Sequence, residues 1–344
     1  MNEILKEDFD GLLQYYDFSA LKGRSVFITG ATGLIGSQVL KFLNYLNESQ
    51  GFDMRLYALI RSEEKALRVF GSLYTDKKIS FFNGNVLGLP PVYVPIDYII
   101  HGASVTSSQD FVTSPVETIE TAVNGTGNVL KFAREKRVKS FLYLSSMETF
   151  GITDGKGEVR EPDLGYIDVL SPRSSYSESK RLCECLCASY AQEYGINAKI
   201  IRLTQTLGAG IAYDDSRVAA QFARAVIEEK DIVLKTKGAT KRPVIYTSDA
   251  VSAMLTVLLK GNPGEAYTAA NPETFMTIRE TAEMVAGKIA EGRIKVIFDI
   301  QGIPLEYAPN LNLNLNVDKL RSLGWSPRVG LEEAYRRMIA GMRV

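Results

Sequence analysis

Histidine is nearly missing from this sequence: His101 is the only one in 344 residues, joined by three cysteines and a single tryptophan. A cysteine nucleophile would lack a histidine partner, and a zinc centre would lack a ligand set. All three cysteines lie in Cys183-Glu184-Cys185-Leu186-Cys187. On a helix Cys183 and Cys187 share a face while Cys185 points elsewhere, so they read as small residues packed behind a helix, and no metal is expected. So few thiols exclude a disulfide framework and fit a reducing compartment. Charge of one sign is missing too, because 40 Lys and Arg balance 40 Asp and Glu. No global field draws the protein to nucleic acid or to an anionic membrane, so neither is expected as a partner. An anionic ligand must then be held by local groups. There is no long hydrophobic run at the start, where MNEILKEDFDGLLQYYDF is broken by acids. That composition argues against a signal peptide or membrane span and for a cytoplasmic protein.

What is present is an alternation of strand-like and helix-like segments. Residues 1–22 read as an amphipathic helical extension. Short apolar runs at Ser25–Thr29, Arg55–Ile60, Ile79–Phe82, Tyr98–Ile100, Phe141–Ser145 and Ala198–Leu203 read as six strands, with helical stretches between several of them. Strands alternating with helices specify an α/β protein whose parallel sheet is covered on both faces. Beyond residue 205 the pattern is more mixed, with a helix at Val218–Glu229 and another from Leu331 onward. The expected organisation is a main domain over 23–205 and a smaller lobe over 206–344. With no polar linker between them, the second lobe is interleaved with the first, and residues 240–260 return to it.

The first strand runs directly into Thr29-Gly30-Ala31-Thr32-Gly33-Leu34-Ile35-Gly36 and then into a helix at Ser37–Leu46. Glycine lets the backbone turn tightly and approach a ligand closely, and the helix N-terminus offers free N–H groups to a pyrophosphate. This context points to a dinucleotide, although the glycine spacing differs from the familiar fingerprint. Strand two ends Leu59-Ile60-Arg61-Ser62, without the acid that would hold ribose hydroxyls. Arg61 instead suits a 2′-phosphate, so NADP is favoured over NAD.

Tyr176-Ser177-Glu178-Ser179-Lys180 opens a strongly helical segment. Residues four apart share a helix face, so the Tyr176 hydroxyl and the Lys180 ammonium can meet in one pocket. A free tyrosine titrates near pH 10, and lowering that by ~3 units takes about 4 kcal/mol of differential stabilisation. A nearby ammonium and an oxidised nicotinamide both work in that direction. The phenolate could then take a hydroxyl proton while the carbon gives up its hydride.

In that order, glycine loop, strand ending Leu144-Ser145-Ser146, and Tyr/Lys helix, the chain resembles an extended short-chain dehydrogenase/reductase. It is more narrowly similar to the nucleotide-sugar epimerase/dehydratase/decarboxylase branch. The likeness covers about residues 23–335 and includes His101-Gly102-Ala103-Ser104, Gly125-Thr126-Gly127-Asn128, and Ser145 through Gly151. It continues in Gly238 through Arg242 with Asp249 and ends at Leu323-Gly324-Trp325-Ser326-Pro327. The resemblance implies a Rossmann-type doubly wound parallel sheet with a smaller, interleaved C-terminal substrate lobe. It implies a cofactor site of Gly30, Thr32, Gly33, Leu34, Ile35, Gly36, Arg61, Asn85, Val86, Gly102, Ala103, Ser104, Tyr176 and Lys180, with His101 in the pocket wall. Ser146 would bond the reacting sugar oxygen, Tyr176 would be the base, and Lys180 would orient the nicotinamide ribose. Arg242 would meet the substrate diphosphate, with Thr106, Arg173, Gln205 and Arg217 as further substrate contacts. A homodimer through the Tyr176 helix and its neighbour is also implied.

Glu148 sharpens the expectation. Sugar dehydratases of this branch oxidise C4 and then need a base at C5; here Met147-Glu148 lacks the Asp that some carry. Ser-x-Glu and the Pro172-Arg173-Ser174-Ser175-Tyr176 segment resemble GDP-mannose-type dehydratases and UDP-glucuronate decarboxylases. A nucleotide-diphosphate sugar is therefore the expected substrate, oxidised at C4 and then dehydrated or decarboxylated. Glu148 could instead serve a local salt bridge or turn. The alternatives are a sugar epimerase, an NADPH-dependent ketone reductase needing only Ser146, Tyr176 and Lys180, and a dinucleotide sensor. The chain departs from the branch at Ala122, where Asn is usual, at Asn85, where Asp is usual, and at Arg202 through Ala209. Near the C-terminus Asn310 through Asn316 alternates Asn with Leu, a pattern expected of an edge strand with one polar face.

Overall fold

The runs Val26-Phe27-Ile28, Leu56 through Ile60, Ile99-Ile100, Phe141 through Leu144 and Ile200-Ile201 have no polar alternation, as expected of strands buried on both faces. A computed structural model, describing residues 3–153, 157–300 and 311–343, places them at the centre of one parallel sheet. In chain order, α1 (Glu3–Tyr15), β1 (Ser25–Thr29), α2 (Leu34–Gln50), β2 (Arg55–Ile60), α3 (Glu63–Phe70) and β3 (Ile79–Asn83) come first. Next are β4 (Tyr98–His101), α4 (Asp110–Thr113), α5 (Pro115–Lys136), β5 (Ser140–Ser146), α6 (Ser174–Tyr194), β6 (Ala198–Leu203) and β7 (Gln205–Leu207). The remainder comprises α7 (Val218–Ile227), β8 (Ile232–Leu234), β9 (Lys241–Tyr246), α8 (Thr247–Lys260), β10 (Ala266–Ala269), β11 (Asn271–Thr277) and α9 (Ile278–Met284). It closes with β12 (Val296–Phe298), α10 (Asp318–Arg321) and α11 (Leu331–Met342).

The main sheet has the order β10-β6-β5-β4-β1-β2-β3, all parallel, and the chain reverses its direction of growth between β1 and β4. That reversal opens a crevice at the carboxyl ends of β1 and β4, where ligands of open α/β sheets bind. The six expected strands are all present, and β10 adds a seventh that was not expected. Two apolar layers cover the sheet. One packs α1, α2 and α8 through Phe9, Phe42, Leu43, Met254 and Leu258; the other packs α5 and α6 through Val129, Leu130, Cys183 and Cys187. A third cluster, built on α7, α9 and α11, forms the core of the C-terminal elements. Helix α8 and β10 come back from those elements to the main sheet.

The Leu/Asn alternation is not a ladder strand. Leu311, Leu313 and Leu315 turn inward against Met147, Phe150 and Val159, but pairing is limited to isolated bridges of Leu315 with Val159 and Asn312 with Lys241. Asn316 leaves the alternation for a local turn ahead of α10, its Oδ1 accepting from Asp318 N at 2.8 Å. Asn310 lies outside the described residues. No helix among the described residues is long and apolar enough to cross a membrane.

Candidate active site

The glycine loop closes over the crevice because its backbone has no room for side chains. Gly30 has φ +70°, and a Cβ there would lie 2.6 Å from the Gly102 carbonyl carbon and 2.8 Å from Ala103 N. The loop after β1 therefore rests directly on the loop after β4. A Cβ on Gly36 would collide with the Gly30 carbonyl, so the start of α2 also needs glycine. Gly33 caps α2 in an extended conformation, and Ser37 N is the donor that reaches back to the Gly33 carbonyl, at 2.9 Å. The N–H groups of Leu34, Ile35 and Gly36 are left at the open helix end. A cradle so bare of side chains, facing a helix N-terminus, fits the pyrophosphate of a dinucleotide.

Beneath it, His101 is 1% exposed. Its Nδ1 lies 2.7 Å from Thr29 Oγ1 and its Nε2 3.1 Å from Thr126 Oγ1, while Thr29 Oγ1 accepts from Ala103 N. Burial, helped by the Lys180 charge, drops its pKa to about 3, so the ring is neutral. It pins β1, β4 and α5 together under the pocket instead of forming its wall. Val86 is buried against Gly125 of α5, where a Cβ would meet it at 2.6 Å. Asn85 commits its Oδ1 to Leu87 N and Gly88 N, at 2.8 and 3.0 Å, so its acceptor serves its own turn. Ser104 Oγ donates to the Val105 carbonyl, and Thr106 is exposed on the same loop. Arg61 is exposed just past β2, where Ser62 caps α3.

At the end of β5, Ser146 meets the first turns of α6. Its Oγ accepts from Glu148 N at 3.2 Å and is hydrogen-bonded to Tyr176. Lys180 is 3% exposed and its Nζ donates to the Leu144 carbonyl at 2.7 Å, 5.6 Å from the centre of the Tyr176 ring. Burial lowers Lys180 to about 8. Burial and the Glu148 carboxylate push the Tyr176 phenol above its ordinary value, against the opposing pull of Ser146 and Arg173. Lys180 is not among the groups that lower it. In the protein without cofactor the phenol thus stays raised, and the acidification that Tyr176 needs as a base would come from the oxidised nicotinamide.

Glu148 is held from the start of α6. Arg173 grips it with both ends of its guanidinium, Nη1 to Oε2 at 2.9 Å and Nη2 to Oε1 at 3.1 Å. Ser177 Oγ donates to Oε2 at 3.1 Å. Arg173, expected to meet substrate, is instead engaged by the chain's own carboxylate. Its guanidinium carbon lies 4.9 Å from the centre of the Phe111 ring, which stacks on Tyr176 at 4.4 Å and 11°. Behind this layer Ser145 Oγ donates to Glu184, which forms a buried fork with Arg202, Nε to Oε1 at 2.9 Å and Nη2 to Oε2 at 2.7 Å. Sequence reasoning missed Ser177 and Phe111. Ser177 is one serine among several, and Phe111 lies on a four-residue helix with no pattern of its own.

On the C-terminal side Arg242 donates to Gln205 Oε1, and the Tyr335 phenol of α11 lies within electrostatic reach. Burial lowers Arg242, and Glu148 holds it up. Gln205 and Arg242 are thus brought together on the side of the cleft facing Glu148. Arg217 is not: it forks onto Asp215, 2.5–3.1 Å away, in an exposed segment before α7. Among the described residues no group of three or more His, Cys, Asp or Glu side chains is arranged to hold a metal ion.

Comparison with known proteins gives these features a context. The model of the "NAD dependent epimerase/dehydratase family" matches residues 26–270. A UDP-glucuronic acid decarboxylase from Danio rerio is 30% identical over 319 residues, 92% of this chain and 72% of its own. Among solved structures, a dTDP-glucose 4,6-dehydratase from Streptomyces venezuelae with bound NAD has a TM-score of 0.75 at 20% identity, covering 93% of this chain and 97% of that one. A UDP-glucuronic acid 4-epimerase from Bacillus cereus, with UDP-glucuronic acid and NAD, has a TM-score of 0.76 at 18% identity, covering 93% and 99%.

Proposed function

Because the chain belongs to the NAD-dependent epimerase/dehydratase family, an enzyme family acting on nucleotide sugars, we propose that it oxidises C4 of a UDP-hexuronic acid and decarboxylates it. The observation that carries this reading is Glu148, held two residues beyond Ser146 with Arg242 on its far side. A simple epimerase or a ketone reductase needs no proton carrier at C5, although the salt bridge to Arg173 would suit those enzymes as well. The curated relatives favour loss of carbon dioxide over loss of water.

Ser146 and Tyr176 would bracket the C4 oxygen, Tyr176 taking its proton as the C4–H bond breaks. Bound NAD(P) would supply the hydride acceptor and return the hydride. In the resulting β-keto acid the C5–C6 bond can break, its electron pair moving onto the C4 oxygen as carbon dioxide leaves. Glu148 then relays a proton from water to C5, and Tyr176 protonates the C4 oxygen when the hydride comes back. Arg242 would hold the diphosphate. Arg61 would select NADP: Arg61→Ala is expected to weaken NADP at least tenfold and NAD by less than twofold in a titration. Equal losses would refute that assignment.

Exposed apolar side chains on α5 and α6, Val116 at 67% and Leu182 at 48%, support a homodimer through these helices. The function itself is tested by mass spectrometry of UDP-, dTDP-, GDP- and CDP-sugars incubated with the protein and a catalytic amount of NADP or NAD. Loss of carbon dioxide from a UDP-hexuronic acid is the expected result. Loss of water from a neutral sugar, or no mass change at all, would overturn it.

A further inference from the structure

The carboxylate of Glu148 has four lone-pair sites, and three are filled by protein donors. Oε2 accepts from both Arg173 Nη1 and Ser177 Oγ, whereas Oε1 accepts only from Arg173 Nη2. Among the described residues no donor reaches the second lone pair of Oε1. The fork that does this is itself fixed, since Arg173 is only 12% exposed on its side chain and lies against the Phe111 ring. Phe111 in turn stacks on Tyr176, and Ser175 Oγ donates to the Phe111 carbonyl at 3.0 Å.

We propose that Arg173 and Ser177 are positioning residues that hold Glu148 in a single orientation and select its Oε1 as the atom that carries the C5 proton. This rests on the reading of Glu148 given above. Arg173 turns Nη1 and Nη2 to Glu148, and both ends of that fork are used in holding the carboxylate. A planar guanidinium is needed because a lysine supplies the charge without the two parallel N–H bonds that fix the carboxylate plane. Misplacing a proton-transferring group by about 1 Å costs on the order of 100-fold in the step it serves, and leaves other steps alone.

The test separates the steps. In single turnovers with the UDP-hexuronic acid, absorbance of reduced nicotinamide reports C4 oxidation, and mass spectrometry in D2O reports carbon dioxide loss and deuterium at C5. Arg173→Lys and Ser177→Ala are expected to keep C4 oxidation within about threefold of wild type. The later steps should slow by roughly 10–100-fold for Arg173→Lys and less for Ser177→Ala, so that the 4-keto sugar accumulates. Arg173→Met should be slower again at C5, with Lys giving partial rescue. If both variants slow the two stages equally, or neither stage, the positioning role is overturned. Glu148→Gln distinguishes this from failure of the underlying reading: if it leaves deuterium incorporation at wild-type rate, Glu148 carries no proton and the assignment of the C5 step falls first.

Discussion

Replacing Gly30 by alanine tests whether the two loops that form the crevice truly touch through backbone. The substitution meets two separate costs. At φ +70° an L-residue loses about 1–2 kcal/mol relative to glycine. The new methyl would also sit 2.6, 2.7 and 2.8 Å from Gly102 C, Gly102 O and Ala103 N, all of them backbone that no rotamer change can clear. Relief requires the β4 loop to move away, which breaks the Gly102 N to Thr29 O and Ala103 N to Thr29 Oγ1 bonds of 3.1 and 3.2 Å. Two such bonds are worth roughly 1 kcal/mol each. Together the loss is about 3–4 kcal/mol. Gly33→Ala is the matched control: its φ is −78°, and its Cβ would meet only the Gly30 carbonyl oxygen, at 3.3 Å. Denaturant unfolding of both variants without cofactor should show the large loss for Gly30→Ala and less than about 1 kcal/mol for Gly33→Ala. Dinucleotide titration should then show both weakened, Gly33→Ala through the ligand rather than the fold. Equal stability losses, or a Gly30→Ala protein as stable as wild type, would refute the close approach.

Asp249, 1% exposed and bonded to Arg328 N and Val329 N, is raised by burial to about 6. A folded value above the unfolded ~3.9 means the native state holds the extra proton. Its contribution is greatest below pH 4 and is lost as pH rises through 6, by about 3 kcal/mol in all. The stability difference between wild type and Asp249→Asn should therefore change by roughly 1.4 kcal/mol between pH 5 and 8 in urea titrations, and a constant difference would contradict it. Tyr176→Phe should lower turnover by at least ~100-fold while the protein still binds dinucleotide, and near-normal turnover would remove Tyr176 from the chemistry. Leu182→Glu should shift sedimentation from dimer to monomer, and a wild-type protein already monomeric at micromolar concentration would exclude the interface.

Short-range signals were the legible ones. The run from Ser25 to Gly36 encodes its strand, turn and helix within twelve positions, and Tyr176 and Lys180 share a helix face because 3.6 residues make a turn. The Leu/Asn alternation misled because period 2 records which side chains turn inward, and that held for Leu313 and Leu315. Whether a neighbouring strand supplies a ladder is decided elsewhere in the chain, and here it supplies two bridges. The same separation explains Arg173. An arginine in a cleft matches a phosphate or carboxylate of the substrate by chemistry alone, but its carboxylate was already in the chain, 25 positions earlier on the turn after β5. Ser177, 29 positions from Glu148, fills another lone pair of the same group. Neither distance leaves a trace in local spacing. Which residues carry charge into a site is readable from the sequence, whereas which charges are already answered by one another depends on how β5 and α6 are set side by side. That pairing decides whether Arg173 meets the sugar or steadies the group that acts on it.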